Sequence, residues 1–267
     1  MLGSTEPEQL GFAQSLFAEG DYYRSIGEYK RFLYLYPESP AADEARLAIA
    51  RAYSRGGQTE AAVEHLRALA SLSPEWQARA GLEIGWALRA GGEDMAAARQ
   101  LRVFLRQDSP RSPDTLDRAN YLLGWSLLHQ GDGEGAARAF AAVTSPGQST
   151  LRDAALGWKA LPSKSPALAG VLSVVPGAGH VYIGEPVMGL AAFAWNGLFG
   201  FALYESIRRE QVGVAVLLGV LESLWYSGTI FGAVSGAQKY NRDVRRQALE
   251  RLTSEHEDHP EHWPPAR

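Results

Sequence analysis

Cysteine is missing from all 267 residues. That closes the chain to a disulfide framework and to a cysteine-ligated zinc site, and it fits a reducing or an oxidising compartment equally. An excess of charge of one sign is nearly missing too. Lys and Arg number 26 against 30 Asp and Glu, a net charge of −4, so nothing global argues for a nucleic-acid partner. The opening residues, MLGSTEPEQL, hold no basic stretch followed by an apolar one. No secretory leader is legible there: either none is needed, or the chain starts after one. Nucleophile–base constellations and metal-ligand spacings are absent from the sequence, which points away from an enzyme, a cofactor and a metal. His65 and His129 fall inside helical patterns as packing or surface residues. His256, His259 and His262 in the final HEDHPEHW could meet a metal, but Pro260 and the acidic neighbours make a solvated tail the better reading.

What the chain does have is repetition in its first half. Pro37, Pro74, Pro110 and Pro146 close apolar helical stretches at spacings of 37, 36 and 36 residues. Glycine-centred turns keep nearly the same beat: Glu19–Asp21, Gly56–Gln58, Gly91–Glu93 and Gln130–Asp132. Small residues follow the last three turns, at Ala61-Ala62, Ala96-Ala97-Ala98 and Ala136-Ala137. Tyr53, Trp86 and Trp125 precede those same turns. The pattern predicts stacked helical hairpins, with glycine relaxing each turn and proline ending each second helix. A single hairpin cannot bury its apolar face, so neighbours must stack.

These units resemble the tetratricopeptide repeat family. Leu82, Gly85-Trp86, Gly92 and Pro110 carry the likeness in one unit. Leu122, Gly124-Trp125, Gly131, Ala136, Phe140 and Pro146 carry it in the next. The first unit departs from it, with Asp21-Tyr22-Tyr23 where small residues are usual. Leu156-Gly157-Trp158 echoes the earlier Gly-Trp pairs, so Leu151–Leu161 reads as a capping helix. Pro162–Pro166 then breaks the pattern and marks a boundary. The resemblance implies an all-α solenoid over residues 1–161 that binds a protein or peptide partner in its groove.

The second half is apolar. Val187 to Tyr204 carries no charge, and Asn196 is its one strongly polar side chain. From Val212 to Gln238 the only charge is Glu222. Each stretch is long enough to cross about 30 Å of hydrocarbon as helix, with a short charged loop, Glu205–Gln211, between them. Residues 187–238 therefore read as a two-span hairpin. Ala167–Val175 is apolar but too short to span. Pro176-Gly177-Ala178-Gly179 then turns the chain and Tyr182 sits at headgroup depth. No strand precedes these glycines and no Gly-Lys-Ser/Thr follows, so a phosphate loop is ruled out. Residues 162–186 read instead as a linker with an interfacial or re-entrant segment.

The run Pro-Gly-Ala-Gly-x-x-Tyr-x-Gly before a Gly-rich apolar helix resembles TM2-type two-helix membrane modules. With Tyr226-Ser227-Gly228, Gly232-Ala233, Ala237 and Lys239-Tyr240-Asn241, it also resembles the C-terminal part of poorly characterised bacterial envelope proteins, where His180 would be glutamine. That likeness implies a role in envelope biogenesis or membrane-protein assembly. Asn196 and Glu222 fall at similar depth in the hairpin, which predicts an interhelical hydrogen bond or, alternatively, a working carboxyl in a small transporter or insertase-like component. Gly228, Gly232 and Gly236 form a ladder for close helix packing, within the hairpin or in a homodimer. Residues 239–267 read as a basic helix for anionic lipid, bearing Lys239, Arg242, Arg245, Arg246 and Arg251, followed by a polar tail. Charge bias places the repeats in the cytoplasm, at a bacterial inner membrane; a missing leader would place them in the periplasm.

Overall fold

The structure, a computed structural model, describes residues 5–107, 111–144 and 148–256. The described residues are helical with turns and hold no strand. They form two compact units, one of Met1–Lys159 together with the segment from Leu252, the other of Ala160–Arg251.

Eight helices build four hairpins in the first unit: α1 (Glu6–Ala18) with α2 (Tyr22–Leu35), α3 (Ala42–Arg55) with α4 (Thr59–Ala70), α5 (Pro74–Ala90) with α6 (Asp94–Arg106), and α7 (Pro113–His129) with α8 (Gly133–Ala141). The short α9 (Gln148–Leu156) packs on α8, and a 3₁₀ turn, Gly157–Ala160, follows it where a single helix to Leu161 was expected. Each helix packs on the next, and the first helices of successive hairpins also meet, α3 on α5 and α5 on α7. An inner row of first helices therefore faces one way.

All four hairpin turns share one geometry. Gly20, Gly57, Gly92 and Gly131 hold φ of 82°, 75°, 77° and 83°. Each amide donates to the carbonyl three residues back, and the next amide donates to the carbonyl five back, as in Gly20 to Phe17 and Asp21 to Leu16. This is the Schellman closure, which satisfies the last carbonyls of a helix and needs a left-handed residue. Two further glycines set the helix spacing. A Cβ on Gly85 would lie 2.5 Å from Leu101, and one on Gly124 would lie 2.5 Å from Phe140. The Gly-Trp pairs thus let helices within a hairpin approach, while Trp125 packs edge-on to Phe140 at 6.0 Å.

Proline plays another part than expected at Pro74. Helix α4 has already ended at Ala70, and Pro74 opens α5 behind a Ser73 cap that accepts from the Trp76 amide. The first turn of a helix leaves its amides unbonded, so a residue without one fits there. Pro37 does follow the end of α2; Pro110 and Pro146 lie outside the described residues. The core is continuous between neighbours. Phe32, Tyr29 and Ile26 meet Ala45, Ile49 and Ala52, and Leu47 and Ala50 meet Val63, Leu66 and Ile84.

The second unit has α10 (Pro166–Leu172), α11 (Ala178–Ile183), α12 (Pro186–Arg208) and most of α13 (Val212–His256). Helix α13 runs unbroken through 45 residues, about 68 Å at 1.5 Å per residue, so the basic stretch after Lys239 continues the second apolar helix. Helices α12 and α13 are each long and apolar enough to cross a membrane. Their outer faces are exposed, Phe201 at 64% and Phe231 at 73%.

Candidate functional site

In the first unit the inner helices enclose a cleft of about 360 Å³. Leu10 and Phe17 come from α1, Ala45 and Ala48 from α3, Leu82 and Trp86 from α5, and Leu122 from α7. Against this apolar lining stand three guanidinium groups, Arg51, Arg55 and Arg118, and two carboxylates, Glu44 and Glu83. Arg51 is ion-paired with Glu83, and Glu44 with Arg79 at 2.5 Å. Arg55 lies 5.2 Å over the Phe17 ring. Burial works to lower the Arg51 guanidinium, but the bonded Glu83 overrides it and the pKa is raised. Arg118 has the opposite balance: burial, with Arg51 adding to it, lowers its pKa in spite of Asp114 and Glu83. Burial likewise raises the Tyr29 hydroxyl, against the pull of Arg51. The cleft is therefore apolar with a cationic edge, able to take an extended segment bearing apolar and acidic side chains.

Sequence reasoning placed Trp86 in a repeat helix but named none of the cleft's polar residues. A signal was present. Ala48, Glu83 and Arg118 recur at 35-residue steps, and Arg51, Trp86 and Leu122 at steps of 35 and 36, all on the inner row. The repeat period, applied to first helices alone, picks out this wall.

In the second unit, the Pro176–Tyr182 turn packs tightly. Helix α10 runs antiparallel along α13: the Lys164 amide and carbonyl bond Asn241 at 2.7 and 2.8 Å, Gly170 lies against Val234, and Tyr226 Oη donates to the Val174 carbonyl at 2.9 Å. Pro176 and Gly177 reverse the chain, with Gly177 at φ 86°. A Cβ on Gly177 would run into the Gly189 carbonyl, and one on Gly179 into Ser173 Oγ. Helix α11 then returns along α13 and buries Ile183 against Ala233 and Ala237. Tyr182 Oη accepts from the Ser165 amide at 2.9 Å, and its ring lies under Lys164 Nζ at 5.0 Å. His180, at the position where glutamine was expected by resemblance, places Nδ1 3.2 Å from Glu185 Oε2.

The glycine ladder divides. Gly232 faces the His180 ring, and a Cβ on Gly236 would strike Ile183, so both look onto α11; Gly228 has open space around it. The expected bond between Asn196 and Glu222 is not formed. Asn196, 5% exposed, turns its Nδ2 to the Ala192 carbonyl at 2.6 Å. Its Oδ1 and Glu222 Oε2 are both buried without a hydrogen-bond partner. On α12, Gly189, Ala192, Asn196 and Ser206 are buried; on α13, Glu222 shares its stripe with Tyr226, which bonds Val174, and with Ala233 and Ala237, which pack on Ile183. Among the described residues no three His, Asp or Glu side chains converge as metal ligands. His256 caps its own helix at the Leu252 carbonyl, 3.0 Å away; His259 and His262 lie outside the described residues.

A tetratricopeptide repeat profile matches residues 44–75. The match covers the hairpin α3–α4 and reaches the start of α5. No curated protein matches the chain. The all-α repeat solenoid and the protein-interaction role general to such repeats rest on this match together with the fold.

Proposed function

We propose that the chain is a non-enzymatic, membrane-anchored repeat scaffold that holds a protein or peptide segment in the cleft of its first unit, in bacterial envelope biogenesis or membrane-protein assembly. One observation carries the binding reading: four successive first helices line a single cleft whose wall alternates apolar and charged groups. The anchor reading rests on α12 and α13, whose large apolar side chains face outward along their full apolar length. Water does not favour so large an exposed apolar face on a folded chain, whereas hydrocarbon does. In that setting α10 and α11 form a re-entrant segment. They enter beside the C-terminal part of the α13 span, turn back at Pro176, and have their irregular backbone covered by α12 and α13, as such backbone requires in lipid. Exposed Lys239, Arg242, Arg245 and Arg246 would then meet anionic headgroups.

Two measurements test this. The full chain floats with lipid vesicles and resists carbonate extraction, while residues 1–161 stay soluble and helical; a full chain that remains in the supernatant without detergent overturns the anchor. A photo-crosslinking side chain at Trp86, inside the cleft, yields discrete protein adducts in cells, whereas one at Tyr34, 84% exposed on the outer α2, does not; equal labelling overturns the cleft. The unpartnered Glu222 carboxyl supports a second reading, a small transporter or insertase-like component. Glu222→Gln separates the two, because glutamine cannot cycle a proton: the scaffold keeps its activity and the transporter loses it.

A further inference from the structure

We propose that Asn196 of α12 and Glu222 of α13 form a proton-binding site, in which Glu222 is held as a carboxylic acid whose Oε2 hydrogen is donated to Asn196 Oδ1. The inference rests on the membrane reading above. Trp195 and Trp225 fix the level of the two helices, their ring centroids 6.4 Å apart. The closing turn agrees, centred on Glu210, midway between 195 and 225 in the sequence. Asn196 is therefore level with residue 224, and Glu222 sits two residues along, about 3 Å of helix rise. Each side chain presents one buried oxygen that has no partner. Two acceptors at one level cannot satisfy each other; a single hydrogen between them satisfies both.

Among the described residues no other group supplies that hydrogen. Tyr226 Oη is committed to the Val174 carbonyl at 2.9 Å. The Ser223, Ser227 and Thr229 hydroxyls each bond a main-chain carbonyl of their own helix, at 2.8, 2.7 and 2.8 Å. Asn196 gives one amide hydrogen to the Ala192 carbonyl, and its amide makes no second hydrogen bond among the described residues. Neither Val187–Tyr204 nor Val212–Gln238 contains Lys, Arg or His, so no counter-ion for a carboxylate lies in either apolar stretch. An ionised carboxylate without counter-ion or donor is costly in hydrocarbon, and an unpaired amide oxygen beside it adds to that cost. The neutral acid removes both penalties and ties the helices together. This is a lock: the hydrogen is consumed by Asn196 and is not handed on.

Dicyclohexylcarbodiimide, a lipid-soluble reagent that requires a protonated carboxyl, tests the site on the full chain in vesicles at neutral pH. Peptide mapping should find Glu222 modified well ahead of Glu205, which is paired with Arg208 and Arg209 at 3.1 and 2.7 Å. Glu222→Gln, which still offers a donor to Asn196, should leave the unfolding midpoint in detergent unchanged, while Glu222→Leu and Asn196→Leu should each lower it by about 2–4 °C. An unreactive Glu222 in a chain that floats with lipid overturns the proton site and leaves the anchor standing. So does a midpoint that rises with sodium, which would mean a bound cation, or a Gln variant as damaged as the Leu variant. A chain that fails to float removes the membrane reading itself, which is scored first.

Discussion

At the scale of single residues, Glu210 is the departure from an otherwise uniform rule. Its amide donates to the Ile207 carbonyl and the Gln211 amide to the Ser206 carbonyl. That is the closure seen after α1, α3, α5 and α7, where glycine holds the left-handed position. Glu210 holds it at φ 57° instead. A Cβ in that region crowds the following carbonyl and costs about 1–2 kcal/mol, partly offset by the greater unfolded freedom of glycine. Glu210→Gly should therefore stabilise the α12–α13 hairpin by about 0.5–1 kcal/mol, read as a rise in the thermal midpoint in detergent; a fall would mean that the Glu210 side chain makes a contact worth more than the strain. Legibility at this scale followed chemistry. Trp86 and Trp125 stood out because a large aromatic beside glycine is rare on a solvated helix. Arg51 and Arg118 did not, because arginine on a helix ordinarily reads as a water-facing residue; only their place in the 35-residue period distinguishes them.

At the scale of elements, the glycine turns were readable and the proline boundaries were ambiguous. A left-handed turn admits few residues other than glycine, so four such turns announce four hairpins. Proline is compatible both with the end of one helix and with the first turn of the next, which is why Pro74 reads either way and opens α5. Glycines inside helices need the packing before they can be assigned. Gly27 is exposed in α2 with nothing near its missing Cβ, whereas a Cβ on Gly124 would meet the Phe140 ring at 2.5 Å. Gly27→Ala should gain about 1 kcal/mol from helix propensity, and Gly124→Ala should lose about 1–3 kcal/mol from overpacking; denaturant titration of both variants checks the opposite signs. The ladder on α13 follows the same logic. Gly236→Leu must displace Ile183 and should loosen α11 from α13 by about 1–3 kcal/mol, while Gly228→Leu, with open space around it, should change thermal stability little. A Gly228→Leu variant as unstable as Gly236→Leu would place a second copy of the chain against that face. The even spacing in the sequence could not separate these positions, because only the return of α11 decides which glycines it covers.

For the whole molecule, charge decides what composition leaves open. The proposed two-span hairpin would return both flanks to one side, so the repeats and the end of α13 would share a compartment. The C-terminal flank carries Lys239, Arg242, Arg245 and Arg246, exposed on the helix. The opposite loop carries only Arg208 and Arg209, both engaged by Glu205. Flanking Lys and Arg favour the cytoplasmic side, and Arg246 keeps that bias even though it pairs with Asp243 at 3.1 Å on the same helix, since acidic neighbours weigh little in the rule. On the proposed anchor, that bias would put the repeats and their cleft in the cytoplasm and the Glu210 turn on the far side. A chain without cysteine allows a clean test. Gln211→Cys, in the turn, should react with a membrane-impermeant maleimide in intact cells, and Glu93→Cys, in a repeat turn, should react only after the membrane is opened. The reverse labelling would put the cleft outside the cytoplasm and turn its partner into an envelope protein. Labelling of both sites in intact cells would mean that the hairpin does not cross the bilayer, so that α12 and α13 lie on its surface with their apolar faces down.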